Sequence, residues 1–369
     1  MTEVSMARPF VGEEEAKAVY DTIKSGWLSM GPKVKEFEKS FAEIVGSKYA
    51  ISTNNGTAAL HIALIASGVK DGDEVLVPDI TFASTAKVAL YERAIPVLVE
   101  CDPETYNISL IDLEKKITNR TKAILAVDMN GMPFDYDGVL SIAKKYGLKV
   151  IADSAESFGA IYKQKKIGSI APLHTFSFFP NKNITTGEGG MIVTNDEDLY
   201  NKCRSLRNLC FGKKDRFVHE DLGWNMRMTN MQAAIGLAQL ERLDEFVQIK
   251  RKMGQLYSEL LSGIDEIQLP LKETEYSKNI YWVYAITIKD DYGKTGQEMI
   301  DKLAAEGIGA RPFFYPMHQQ PVFKKMGLFK NQNFQNSEKL YKKGFYIPSG
   351  LALTQDQAGK VSSVLHKIL

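Results

Sequence analysis

The chain has almost no net charge. Its 46 Lys and Arg stand against 45 Asp and Glu, leaving +1 at neutral pH. A protein that binds nucleic acid or an acidic membrane surface carries a basic field, so neither is expected as a partner. Cysteine is scarce. Cys101, Cys203 and Cys210 are an odd number in 369 residues and share no metal-ligand spacing. That speaks against a disulfide framework and a bound metal, and for reduced thiols in a cytoplasmic protein. The opening residues Met1-Thr-Glu-Val-Ser5 lack the basic and apolar blocks of a signal peptide. Apolar runs long enough to span a membrane are missing too, as are repeats and low-complexity segments. A soluble, cytoplasmic protein is the expectation.

The rest of the composition is that of an ordinary globular protein, 44% hydrophobic and 25% charged. At 369 residues it exceeds what one core organises. Two domains are expected, a large one over 1–240 and a smaller C-terminal α+β one over 241–369. Apolar runs at 49–53, 74–78, 95–99, 123–127 and 148–152 read as strands, with helical patterns over 11–25, 34–45 and 110–117. Alternation of this kind predicts an α/β fold, a mostly parallel, doubly wound sheet. A polar helix over 196–210 and one long helix over 231–256 lead to the smaller domain. There the spacing predicts a strand over 281–288 and helices over 296–306 and 355–369.

Chemistry enters at residues 175–195, which read as a strand, a turn, a glycine cluster and a second strand. Lys182 sits in the turn, directly after Phe178-Phe-Pro-Asn181. An ammonium beside a buried aromatic strand is costly unless it is neutralised or bonded. An imine to an aldehyde cofactor removes that cost; a surface lysine on a hairpin turn avoids it. Asp153 ends the strand at 148–152, at the sheet edge where ligands bind in open α/β folds. Enzymes that use pyridoxal phosphate pair a Schiff-base lysine with a carboxylate on the pyridine nitrogen. Upstream, Asn54-Asn-Gly-Thr-Ala58 turns from a strand into a helix. Thr57 and Ala58 then lie at a helix N-terminus, a place for an anion or an ordinary cap.

Motifs from Gly26-Trp-Leu-Ser-Met-Gly-Pro-Lys-Val34 to Arg311-Pro-Phe-Phe-Tyr-Pro-Met-His318 follow in an order that carries a resemblance. The chain resembles, nearly end to end, the aspartate-aminotransferase-fold sugar aminotransferases of the DegT/DnrJ/EryC1/StrS family, most closely their perosamine-synthase-like members. The resemblance implies pyridoxal 5'-phosphate on Lys182, which also shuttles the proton, with Asp153 on the ring nitrogen and Phe82 on one ring face. It sets Glu156 where the family more often has glutamine at the ring hydroxyl. Thr57, Ala58 and Ser177 are implied at the phosphate, together with Asn225 from the other subunit of a homodimer with shared sites. Tyr315, His318 and Arg311 are implied on the substrate side. L-glutamate is the implied amino donor. The implied acceptor is a nucleotide-linked 4-keto-6-deoxy sugar destined for surface polysaccharide. The alternatives are a small phosphorylated ketone without a nucleotide, or a non-catalytic regulator on the same fold. Family dehydratases replace the lysine with histidine, so Lys182 argues against that branch. One departure concerns Asp128 and Asn130, where nucleotide-sugar members commonly have histidine and tyrosine. Both stand at a strand's C-terminal end, where their side chains are expected to border the site.

Overall fold

Two helices precede the first strand, α1 (Glu13–Lys24) and α2 (Pro32–Val45). Pro32 opens α2 where a missing N–H costs nothing, and Gly46 closes it in the left-handed region at φ 76°. The computed structural model describes residues 3–212, 217–219 and 221–369. Strands and helices then alternate: β1 (Tyr49–Thr53), α3 (Gly56–Ala66), β2 (Glu74–Pro78), α4 (Ser84–Tyr91), β3 (Ile95–Val99), α5 (Leu110–Lys115). They continue with β4 (Thr121–Val127), α6 (Tyr136–Tyr146), β5 (Lys149–Asp153), the small pair β6 (Ile161–Tyr162) and β7 (Lys165–Lys166), β8 (Leu173–Ser177) and β9 (Gly190–Thr194).

Seven of these strands form one sheet in the order β1-β9-β8-β5-β4-β2-β3. Neighbours from β8 through β3 run parallel, and β9 is antiparallel to both β1 and β8. Helices cover the sheet, so β2 and β9 are buried along their whole length, which is why such strands are written as unbroken apolar runs. Thr53, Pro78, Val127, Asp153 and Ser177 end their strands at one edge. The chain therefore delivers polar residues of five loops to a single place.

The remaining elements are α7 (Glu197–Arg207), α8 (Asn230–Glu241), α9 (Leu243–Leu260), β10 (Ile267–Gln268), β11 (Tyr284–Ile288), α10 (Gly296–Ala305) and β12 (Arg311–Pro312). After them come α11 (Pro321–Lys325), α12 (Gln335–Lys343), β13 (Gly344–Ile347) and α13 (Gln355–Ile368). Their strands make a second, antiparallel sheet in the order β10-β11-β13-β12. Its core gathers Tyr257, Ile286, Phe345 and Val361, and Val4 crosses over from the N-terminus to join them. A further apolar cluster, with Val127, Met129, Trp282, Phe313 and Tyr346, packs the second sheet against the edge of the first.

Two expectations are corrected. The helix over 231–256 is two helices, because Arg242 leaves helical geometry at φ −107° and ψ 7°. The halves pack on different partners: Gly236 lies against the ring of Phe37, Gly254 against that of Tyr281. The strand over 281–288 starts only at Tyr284, since Tyr281 takes φ 53°. The backbone before it is used elsewhere, the Ile280 N–H donating to the Gly131 carbonyl at 3.2 Å. That diversion lays Trp282 across the sheet edge.

Candidate active site

Lys182 is placed by a tight turn. Its N–H donates to the Phe179 carbonyl, and the Thr186 N–H donates to that of Phe178. The side chain reaches Glu156 and the segment just before β11. Its Nζ lies 3.8 Å from Glu156 Oε1 and 3.7 Å from the centroid of the Trp282 ring. Asp153 ends β5, with one carboxylate oxygen accepting the Ala155 N–H at 3.2 Å and the other the Thr85 hydroxyl at 3.3 Å. Glu156 Oε2 accepts the N–H of Asn130 at 2.8 Å. Burial pushes both carboxyls up from their ordinary range, and the lysine pulls them back. Burial in turn pushes Lys182 down, opposed by Glu156 and Asp153. The net direction is downward, so an amine in this place gives up its proton more readily than a surface lysine does.

The N-terminus of α3 abuts this group. Asn55 caps the helix by accepting the Ala58 N–H at 2.8 Å, while the N–H groups of the first turn have no partner within the helix. Gly56 comes so close to β8 that a Cβ there would stand 2.8 Å from that of Ser177. The hydroxyls of Thr57 and Ser84 are 2.7 Å apart. Ser84 and Thr85, at the start of α4, thereby tie the helix cradle to Asp153. Sequence reasoning missed both; their only local signal is a pair of hydroxyls after Phe82.

The other expected residues divide. Phe82 is 59% exposed on the β2–α4 loop, its ring edge-on to Phe314 at 6.1 Å. Tyr315 stands edge-on to Tyr341 at 4.8 Å, and exposed Arg311 pairs in register with Tyr346. His318 is buried with both ring nitrogens engaged, Nδ1 at 2.8 Å from Asp79 and Nε2 at 3.0 Å from Glu338. Burial lowers its pKa, but the two carboxylates outweigh that and raise it. Asp79, at the end of β2, was not singled out from sequence. It also accepts the His318 N–H at 2.8 Å and fastens the small sheet's loop to the large one. Asn225 is not gathered into the group. It is exposed and bridges its backbone to Asn208, while the Met226 carbonyl beside it accepts the Asn54 N–H at 3.0 Å.

The expectation for Asp128 is corrected. Its carboxylate does not border the site but is fully buried in its own loop, where the Phe134 N–H and the hydroxyls of Tyr136 and Ser157 donate to it. Asn130 stays at the site, held in the left-handed region at φ 57°. Its carboxamide is buried and makes no hydrogen bond among the described residues. His61 and His174 are structural, the first paired with Glu92 at 2.6 Å, the second pushed down to about 3 by burial.

A buried amine between two carboxylates, next to a helix N-terminus with open N–H groups, suits one kind of group. That group has an aldehyde for the amine, a ring nitrogen for Asp153 and an anionic tail for the helix. Fold and site together define a pyridoxal-phosphate-dependent aminotransferase. The chain belongs to the DegT/DnrJ/EryC1/StrS aminotransferase family, whose pattern spans residues 9–366. It is 39% identical to the GDP-perosamine synthase of Caulobacter vibrioides over 100% of this chain and 99% of that one. Among solved structures it superposes with TM-score 0.94 and 28% identity on the Helicobacter pylori aminotransferase PseC, involved in the biosynthesis of pseudoaminic acid, covering 99% of both chains. An Escherichia coli GDP-4-keto-6-deoxy-D-mannose-3-dehydratase with bound hydrated pyridoxal phosphate is also similar. Its TM-score is 0.90 at 27% identity, over 99% of this chain and 100% of that one. The expected fold, enzyme class and cofactor are borne out.

Proposed function

We propose that this enzyme moves an amino group from L-glutamate to a nucleotide-linked 4-keto-6-deoxy sugar, in the cytoplasm, for surface polysaccharide. The observation that carries the reading is the Lys182 amine, buried between Glu156, Asp153 and the Trp282 ring. Full-length likeness to a GDP-perosamine synthase supports the sugar. The bound cofactor supplies an electron sink for the amino-bearing carbon. The protein does the rest. Asp153 keeps the ring nitrogen protonated, and Glu156 faces the ring hydroxyl. Phe82 covers a ring face, while Thr57, Ala58 and Ser177 bind the phosphate. Lys182 holds the aldehyde carbon and, when released, carries a proton on Nζ, a task that the downward push of burial on its basicity favours.

Asn225 completes the phosphate site of the partner in a homodimer. Tyr20, Ile23, Trp27 and Leu28, on and just after α1, leave an exposed apolar surface for such a partner. Arg311 and Tyr315 face the acceptor, and His318 fixes their loop through Asp79. A smaller keto-phosphate is the second reading, favoured by the buried Asn130 carboxamide where nucleotide-sugar members commonly carry a phenol. Steady-state kinetics with L-glutamate and both acceptor classes decides. The higher kcat/KM is expected for the nucleotide sugar. Turnover of keto-phosphates with inert nucleotide sugars overturns the first reading.

A further inference from the structure

We infer that Trp282 is a positioning residue of the reaction, its indole face holding the positive charge of the Lys182 nitrogen and setting the pH range over which that nitrogen keeps its proton. The inference rests on Lys182 being the cofactor lysine. The ring centroid is 3.7 Å from Nζ, within the distance at which an aromatic face attracts a cation. Attraction of this kind grows where water is excluded, and Trp282 is only 6% exposed.

The ring is held in place at several points. Its indole N–H donates to the Asn181 carbonyl at 2.9 Å, so tryptophan and lysine are anchored to the same turn. The Trp282 carbonyl accepts from Lys250 Nζ, reaching across from α9, at 2.8 Å. On the other side, a Cβ at Gly131 would stand 2.7 Å from the Trp282 nitrogen, so the β4–α6 loop supports the backbone only because it carries no side chain there.

Other charges face the lysine. Glu156 and Asp153 from the end of β5 favour its charged form, with Asp128 acting on Glu156 from behind. Arg8 and Lys250 line the same small cavity. Lys250 is committed to the carbonyls of Trp282 and Ser349, and Arg8 Nε donates to Ser5 at 3.2 Å. The test must therefore change ring electronics and leave shape and charge alone. Fluorination of tryptophan does this, since each fluorine withdraws density from the ring face.

The holoenzyme, loaded with pyridoxal phosphate, is titrated with pH while the absorbance of the protonated lysine imine is followed. This is done with ordinary, monofluorinated, difluorinated and trifluorinated tryptophan, and again in Trp282→Phe, where fluorination reaches only Trp27 and Trp224. The midpoint is expected to fall stepwise with fluorine count, by about one pH unit in all. Across the Trp282→Phe series it should stay flat. A midpoint that ignores fluorination, or one that moves equally in both backgrounds, overturns the inference while leaving Lys182 in its role. Absence of any imine band in the unsubstituted enzyme overturns the assignment of Lys182 itself, and the inference with it.

Discussion

Asp128 shows how much a single buried carboxyl can change. It accepts from the Phe134 N–H and from the hydroxyls of Ser157 and Tyr136, yet burial outweighs these bonds and raises its pKa from 3.8 to about 6. The folded chain thus holds this proton more tightly than the unfolded chain does. The associated stability is fully present below pH 3.8 and is lost as pH rises to about 6. Urea unfolding of the cofactor-free protein at pH 4.5 and 7 should show it. Wild type should lose about 2 kcal/mol more over that interval than Asp128→Asn. Parallel losses would mean that the carboxyl is ionised throughout. Such a role is not written in the local sequence. Asp128 follows a buried strand as a ligand-binding residue would, and only the return of Tyr136 and Ser157 turns it inward.

Among the elements, α3 bears most directly on the proposed phosphate site. Gly56 starts it so close to β8 that a Cβ there would stand 2.8 Å from that of Ser177, so Gly56→Ala must part the helix from β8 and widen the cradle. Cofactor affinity, measured by titrating the imine absorbance, should weaken about tenfold or more, with circular dichroism unchanged. Unaltered affinity would place the phosphate elsewhere. Most strands lie where their apolar runs put them; β1, β2 and β3 match the expected limits residue for residue. Legibility fails at Arg242, where helix-forming residues continue on both sides and nothing in the local sequence marks the break. It fails again at Trp282. Nothing in residues 281–288 tells a strand tryptophan from one diverted over a lysine 100 positions earlier. Asp153 was legible as a charged group at the end of an apolar strand, and Lys182 as a lone charge in the turn that follows another.

At the scale of the whole molecule, the proposed closing of each site by a second copy would make activity depend on assembly. Asn225→Ala chains mixed with Lys182→Ala chains should regain about a quarter of wild-type activity. Half of the randomly paired dimers are hybrids, and each hybrid holds one intact site. No recovery, or full activity of a dilute monomer, would remove Asn225 from the partner's site. The long reach of His318 to Asp79 belongs to this scale too; 239 positions separate them, and only the docked second sheet brings them together. Everything proposed for the chemistry depends on one amine. The most direct measurement is borohydride reduction of the enzyme loaded with pyridoxal phosphate, followed by peptide mapping in a mass spectrometer. The modification is expected on Lys182 alone and should vanish in a folded Lys182→Ala variant. A reduced cofactor on another lysine, such as buried Lys250, or undiminished labelling of the variant, would contradict it.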